Sequence, residues 1–404
     1  MRVLCTCLPG YGHFYPLVSL ASALVSAGHD VAIATADEFC PRVEEMGFST
    51  FPAGISLDEQ LQRANAFIPE AALPPGKERF VTFVPRMLAD VAAPPRATDL
   101  RPILADWQPD LLVHEETELG GPLAAAAAGI PWAGQSVGIL RPLAMARLAG
   151  QILAPLAQEW RVDVGPFAGL FRYLYLDVCP PSLQSGEVAQ VEVAHPMQNV
   201  HPESTTPGPP GDTVGGDRLP PWFDSLDKSR PTVYVSLGTI FNHDPGIFAT
   251  ILAGLGAEPL NLIVTLGPGA DPTVLGPQPE NVHIEPFIPQ DLILPHCDAV
   301  VNQGGTAILS ILGHGLPVLV LPQGANQFHN GEACVTSGAG RLLLPGQVNP
   351  TSVHREVRLL LDDPSYGAQA QRIAREIHAM PGPTEAVDLL ERLAGERAPL
   401  PAPS

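Results

Sequence analysis

The sequence predicts an α/β protein of two domains, each a parallel sheet interleaved with helices. Three observations predict it. Short apolar runs of strand length alternate with amphipathic or alanine-rich runs of helix length, and glycines close the helices. The chain has 404 residues, more than one ordinary core organises. A proline- and glycine-rich stretch, Pro202–Pro221 with Pro207-Gly208-Pro209-Pro210-Gly211 inside it, interrupts the alternation, which restarts beyond it.

Arg2–Leu8 is an apolar run typical of a central parallel strand, covered on both faces. The turn Pro9-Gly10-Tyr11-Gly12-His13 follows, then an amphipathic helix from about Tyr15 to Ala27 that Gly28 ends. Val31–Thr35 is the next strand, so the chain opens on one βαβ unit. Leu111–Val113 reads as a strand, Leu119–Ala128 as an alanine-rich helix stopped by Gly129, and Pro131–Gln135 as the strand after it. Residues 55–80 and 140–176 read as helical excursions. Past the proline-rich stretch come a strand at Thr232–Ser236, a helix near 245–256 and strands near 260–265 and 281–285. Ala299–Val301 and Val318–Leu321 complete the second alternation. After Pro350 the pattern is helical to about Ala394, and Pro399 to Pro403 is expected to fray. The expected division is 1–205, a linker at 206–221, 222–380 and a terminal segment 381–404.

Composition narrows the functions. With 45% apolar residues the chain can bury sizeable cores, and a formal charge of −20 argues against nucleic acid or an anionic membrane as partner. Six cysteines without zinc or redox spacing read as reduced, packed thiols of a cytoplasmic protein. Residues 1–8 form a strand rather than a signal peptide, because Pro9-Gly10 breaks the apolar run too early. No stretch reaches the ~18 apolar residues of a membrane helix. No carboxylate pair or Cys/His cluster has coordination spacing, so no metal is expected. His114, His283, His296, His314 and His329 read as structural.

The most informative stretch is 297–331. Its strand, Ala299–Val301, runs into the turn Gly304-Gly305, which opens a helix that stops at Gly315. A glycine turn feeding a helix start aims free amides and the positive end of the helix dipole at one spot, which suits a phosphate. The next strand ends in a polar cluster of Gln323, Asn326, Gln327 and Asn330. Ligands of open α/β sheets bind at that carboxyl edge, and amides such as Asn326 and Gln327 both donate to and accept from sugar hydroxyls.

In order and residue type, 297–331 resembles the signature segment of the nucleotide-sugar glycosyltransferases of the GT-B fold, and more narrowly the bacterial enzymes that attach deoxysugars to natural products. The family pattern reads roughly Cys-Asp-x-Val-Val-x-His-Gly-Gly-x-Gly-Thr, then Gly-x-Pro, then Pro-x-x-x-Asp-Gln-x-x-Asn. Here Asn326-Gln327 stands for Asp-Gln, and Asn330 is in place. Two departures stand out: Gln303 occupies the histidine position, and the turn is one residue short. Aligned without a gap, Asn302 would take that position instead. Either amide can donate to a diphosphate, but neither carries charge. Val233–Thr239, a strand ending in Ser-x-Gly-Thr, resembles the family's first donor-domain loop, with Ser236, Gly238 and Thr239 near a diphosphate. Glu285–Gln290 resembles its base-binding loop, where Phe287 would stack on a pyrimidine beside Ile288 and Gln290. Arg375–Ala394 resembles its terminal helices, the last of which returns to the first domain.

The resemblance implies two Rossmann-like domains whose parallel sheets face each other across a cleft, with the acceptor bound by 1–205 and the donor by 222–380. In Gly10–Pro16 it makes His13 the general base that takes the acceptor's proton. Histidine suits the task because its ordinary pKa of about 6.5 leaves it partly neutral at working pH. Such a base needs a carboxylate to fix its tautomer, and Glu115, at another strand end, is the candidate; Glu116 and Glu118 point inward less surely. By location, Arg141, Phe67, Phe83 and Trp132 are assigned to the acceptor pocket.

The implied reaction is an inverting, metal-independent transfer of a (deoxy)hexose from a TDP- or UDP-sugar to an aglycone hydroxyl. No cofactor is expected beyond that co-substrate. Asn302, Gln303, Gly304, Gly305 and Thr306, with Ser236, Gly238 and Thr239, would hold the diphosphate. The expected partners are the two small molecules, with a homodimer compatible. The altered 302–307 loop motivates an alternative, a catalytically silent GT-B protein that binds a partner glycosyltransferase. A nucleotide-sugar epimerase should show more acids around the sugar site. A dinucleotide oxidoreductase should follow Gly10-x-Gly12 with a third glycine, and none is present.

Overall fold

The computed structural model describes residues 1–67, 77–199, 218–238, 245–267 and 270–402. The linker expected at 206–221 lies mostly outside these residues, as does Thr239. The chain divides into two compact units. One comprises Met1–Pro180, Gln184–Pro202 and Ala379–Ser404; the other comprises Pro181–Leu183 and Glu203–His378.

The first unit holds β1 (Arg2–Thr6), β2 (Asp30–Thr35), β3 (Ser49–Pro52), β4 (Leu111–Glu115), β5 (Trp132–Gln135), β6 (Leu174–Asp177) and β7 (Ala194–Pro196). They form one parallel sheet of seven strands in the order β3-β2-β1-β4-β5-β6-β7. The inner strands are short and mostly apolar because helices cover both faces. Leu4, Ala32, Ala34 and Leu112 pack into one core with helices Ala93–Trp107, Gly120–Ala128 and Leu143–Trp160. Helix Pro383–Glu396 packs on helix Tyr11–Ser26, and His29 Nε2 meets Glu391 Oε1 at 3.0 Å.

The second unit repeats the plan with β8 (Thr232–Ser236), β9 (Asn261–Thr265), β10 (Val282–Glu285), β11 (Ala299–Asn302), β12 (Val318–Val320) and β13 (Gly340–Leu342). The order is β10-β9-β8-β11-β12-β13, again all parallel. In each sheet the chain builds outward from one strand, then crosses to its other side. That switch lies between β1 and β4 in the first unit and between β8 and β11 in the second. Adjacent loops diverge at such a point and open a crevice at the carboxyl edge, the position where α/β sheets bind ligands.

Three expectations need correction. The turn expected at Pro9–His13 is shorter: Gly10 caps the helix in an extended conformation, and the helix begins at Tyr11. His13 therefore sits in the first helical turn, ahead of Pro16, which lies inside the helix and cannot donate to the Gly12 carbonyl. The excursion at 140–176 ends not in helix but in β6, which pairs with β5 and β7. The tail does not fray through 402. Leu400 is fully buried, its N–H donates to Tyr173 O at 2.8 Å, and His195 Nε2 lies 3.0 Å from its carbonyl.

Candidate active site

In the first unit the switch point assembles an imidazole and a carboxylate. His13 enters from the helix after β1, and Glu115 is the last residue of β4. Nδ1 of His13 lies 3.2 Å from Glu115 Oε1 and 3.0 Å from Thr117 Oγ1. Glu115 is fully buried yet well supplied with donors. Its Oε2 accepts from Thr117 N–H at 2.7 Å, and its Oε1 accepts from Leu8 N–H at 3.3 Å and from the Thr117 hydroxyl. Burial alone would push this carboxyl up. The charge and hydrogen bond of His13, together with the Thr117 donors, outweigh it and hold the pKa at about 2. The ring is thus fixed through Nδ1, while Nε2 has no protein partner among the described residues, on a side chain 29% exposed.

Thr117 is the member of this group that sequence reasoning missed. Its only signal was its place two residues past Glu115, in the turn leaving a strand end. The next two acids, also at the end of β4, have other work. Glu118 accepts from the Thr6 hydroxyl at 2.6 Å and from the amides of Gly120 and Gly121, capping the helix Gly120–Ala128. Glu116 turns to the opposite side from Glu115. There it accepts from Tyr175 OH at 2.8 Å and faces Arg141 at 3.3 Å, beside a cavity of about 40 Å³ walled by Val84, Leu88, Leu119, Met145, Leu170 and Phe171. Burial raises its pKa against the pull of Arg141 and Tyr175. Of the four residues assigned to an acceptor pocket, only Arg141 lines this cavity. Trp132 is core, with its indole N–H on Gly169 O at 2.8 Å; Phe83 is buried with Ala64 and Val91; Phe67 is exposed.

The second unit gathers backbone and amides at its own switch point. Asn302 is fully buried: its side-chain NH2 donates to Ser236 O at 3.0 Å, and its oxygen accepts from Gly304 N–H at 2.8 Å. It therefore ties the ends of β8 and β11 together. Gly304 has φ +92, and an added Cβ would meet Val320 and the Gln327 carbonyl, so only glycine fits. Asn330 donates to Gly304 O at 2.8 Å. Gln303 lies in the loop between Gly238 and Gly305: a methyl at Gly238, itself at φ +77, would overlap its Nε2. Gln303 is mostly buried, and its Oε1 has no partner among the described residues. Thr306 precedes the helix Ala307–Gly313.

The other predicted donor residues divide. Gln327 is buried and its oxygen accepts from the amides of Gln323 and Gly324, so it shapes the turn; Asn326, half-buried, caps the helix Gln327–Thr336 without a side-chain bond. Phe287 is half-buried, whereas the Ile288 side chain is core. Gln290 starts the short helix Gln290–Ile293, near Tyr234, whose hydroxyl meets Thr265 at 2.7 Å. All six cysteines are free and buried. No three His, Cys, Asp or Glu among the described residues are grouped to hold a metal ion, and no helix among them is long and apolar enough to cross a membrane.

Residues 97–202 and 249–393 match the N-terminal and C-terminal domains of the erythromycin biosynthesis protein CIII-like family. The chain belongs to that family. It is 31% identical to the 4'-demethylrebeccamycin synthase of Lentzea aerocolonigenes, over 97% of this chain and 99% of that protein. It is 32% identical to the L-demethylnoviosyl transferase of Streptomyces niveus, over 98% of each. Among solved structures it resembles the glycosyltransferase SsfS6 of Streptomyces sp. SF2575 complexed with thymidine diphosphate. The TM-score is 0.78 at 26% identity, covering 97% of this chain and 99% of that one. The expectation of an α/β protein of the GT-B type is met, and the CIII-like family is one of natural-product glycosyltransferases.

Proposed function

We propose that this protein is an inverting, metal-independent glycosyltransferase that moves a (deoxy)hexose from a TDP- or UDP-sugar to a hydroxyl of a natural-product aglycone. His13 is the general base. The observation that carries this is the fixed imidazole: Nδ1 is held by Glu115 and Thr117, which leaves Nε2 to take a proton. The acceptor oxygen forms its bond to the anomeric carbon as the bond from that carbon to the diphosphate breaks. The acceptor's proton passes to Nε2. Glu115, ionised in its buried site, stabilises the imidazolium that results.

The leaving diphosphate is assigned to the loops after β8 and β11, with Ser236 and Gly238 on one side and Asn302–Thr306 on the other. Asn302 is consumed in holding the two strand ends, so Gln303 is the amide left for the phosphate. A neutral donor makes about half the bond that a charged histidine would. The TDP-bound relative supports a TDP-linked donor, with Phe287 as the stacking face for the base. The apolar cavity beside Glu116 and Arg141 takes part of the aglycone.

A silent GT-B binding protein is the second reading, and the neutral Gln303 between Gly238 and Gly305 favours it. Incubation with TDP- and UDP-sugars, with and without candidate aglycones, separates the two. A transferase releases nucleoside diphosphate only when an acceptor is present; a silent protein binds the donor and releases none.

A further inference from the structure

Arg96 is 1% exposed, and its charge is not matched by any carboxylate within ion-pair distance among the described residues. Its NH1 donates to Cys7 O at 2.8 Å and to Ala34 O at 3.2 Å, while Nε and NH2 have no partner among the described residues. A guanidinium buried with idle donors is costly to the fold. If stability alone were at stake, an apolar side chain of similar volume would fill the space better.

Its surroundings show what it does instead. Cys7 follows β1, and Ala34 lies in β2. A Cβ on Gly54, just past β3, would come within 2.5 Å of Arg96 Nε, and one on Gly120, the first residue of the helix after β4, within 2.7 Å of its Cγ. One side chain therefore reaches the carboxyl ends of three neighbouring strands, β3-β2-β1, and the start of the helix that follows β4. Those ends surround the switch point that carries His13 and Glu115. The link to them is direct. The peptide group whose oxygen accepts from Arg96 is the one joining Cys7 to Leu8, and its N–H donates to Glu115 Oε1. The same peptide begins the turn that leads, over five residues, to His13.

We infer that Arg96 is a positioning residue of the transfer reaction: by clamping the Cys7–Leu8 peptide it aims that N–H at Glu115 and fixes the turn that delivers His13. This rests on His13 acting as the base. The cation polarises the peptide, so its N–H is a stronger donor to the carboxylate, and the imidazole is held from both its carboxylate and its backbone.

A double-mutant cycle tests it. Arg96→Met should lower kcat by ~10- to 100-fold, the scale of a misplaced catalytic group, with donor affinity unchanged. In a Glu115→Gln background the same substitution should cause little further loss, because its route to the imidazole is already cut. Arg96→Lys, which keeps the charge, should recover part of kcat. Gly54→Ala presses on the guanidinium from the far side and leaves Arg96 itself intact; it should reproduce the kcat loss, and it carries the test if the Arg96 variants do not fold. Losses that multiply in the double mutant, a wild-type kcat in Arg96→Met, or an equal fall in donor affinity would overturn the inference. His13→Ala keeping full activity would instead overturn the underlying reading of the base.

Discussion

Replacing Glu115 by Gln probes the buried pair thermodynamically. The wild-type carboxylate accepts from His13, Thr117 and Leu8 at both oxygens. Gln offers one acceptor and turns an NH2 toward donors that cannot receive it. The descent of the Glu115 pKa from 4.5 to about 2, at about 1.4 kcal/mol per pH unit, makes ionisation worth roughly 3 kcal/mol to the fold. Because the folded value lies below the unfolded one, that contribution is complete above about pH 4.5 and is lost as pH falls toward about 2. Gln is neutral throughout. The wild-type advantage over Glu115→Gln should therefore narrow by roughly 2 kcal/mol between pH 7 and pH 3, whatever fixed cost the amide adds. Denaturant unfolding of both proteins at several pH values measures it. A difference that stays constant across that range would refute an ionised, donor-saturated carboxylate behind His13.

Four further outcomes are expected. Leu400→Ala should cost about 2 to 5 kcal/mol, as for other fully buried leucines, read as a lowered denaturant midpoint; no change would mean that the terminal segment is not docked. Gly238→Ala, which would drive a methyl into Gln303 Nε2, should weaken TDP binding in calorimetry while leaving the acid-dependence of the His13–Glu115 pair intact. Gln303→His should speed turnover if the missing charge limits leaving-group departure; equal or slower turnover would show that the shortened loop works through its amides. The six cysteines are buried, and burial lifts the thiols of Cys5, Cys297 and Cys334 to about 12. A disulfide reagent should label none of them until guanidinium is added.

Most of the fold was legible because strand runs such as Thr232–Ser236 are buried on both faces and read as unbroken apolar segments. β3, β7 and β13 were not, since Ser49-Thr50-Phe51-Pro52, Ala194-His195-Pro196 and Gly340-Arg341-Leu342 are edge strands, short and partly polar. The tail was misread because its prolines resemble a frayed end, while one leucine among them finds a fully enclosed site. His13 and Glu115 could be paired because Gly10–Pro16 resembles the family's base motif and Glu115 ends another strand of the same domain. Thr117 and Arg96 could not: neither falls on a quoted motif, and their contacts with His13, Cys7 and Ala34 join residues far apart in sequence, which no local pattern encodes. The side of the strand that Glu116 takes was equally hidden, and with it the small cavity it lines.

The most direct test of the central claim is release of nucleoside diphosphate from a TDP-sugar by wild-type and His13→Ala protein, measured beside donor affinity. Wild type should release diphosphate only with an aglycone, and His13→Ala should bind the donor as tightly yet lose transfer by ~10²- to 10⁴-fold. Undiminished transfer by His13→Ala would contradict the account.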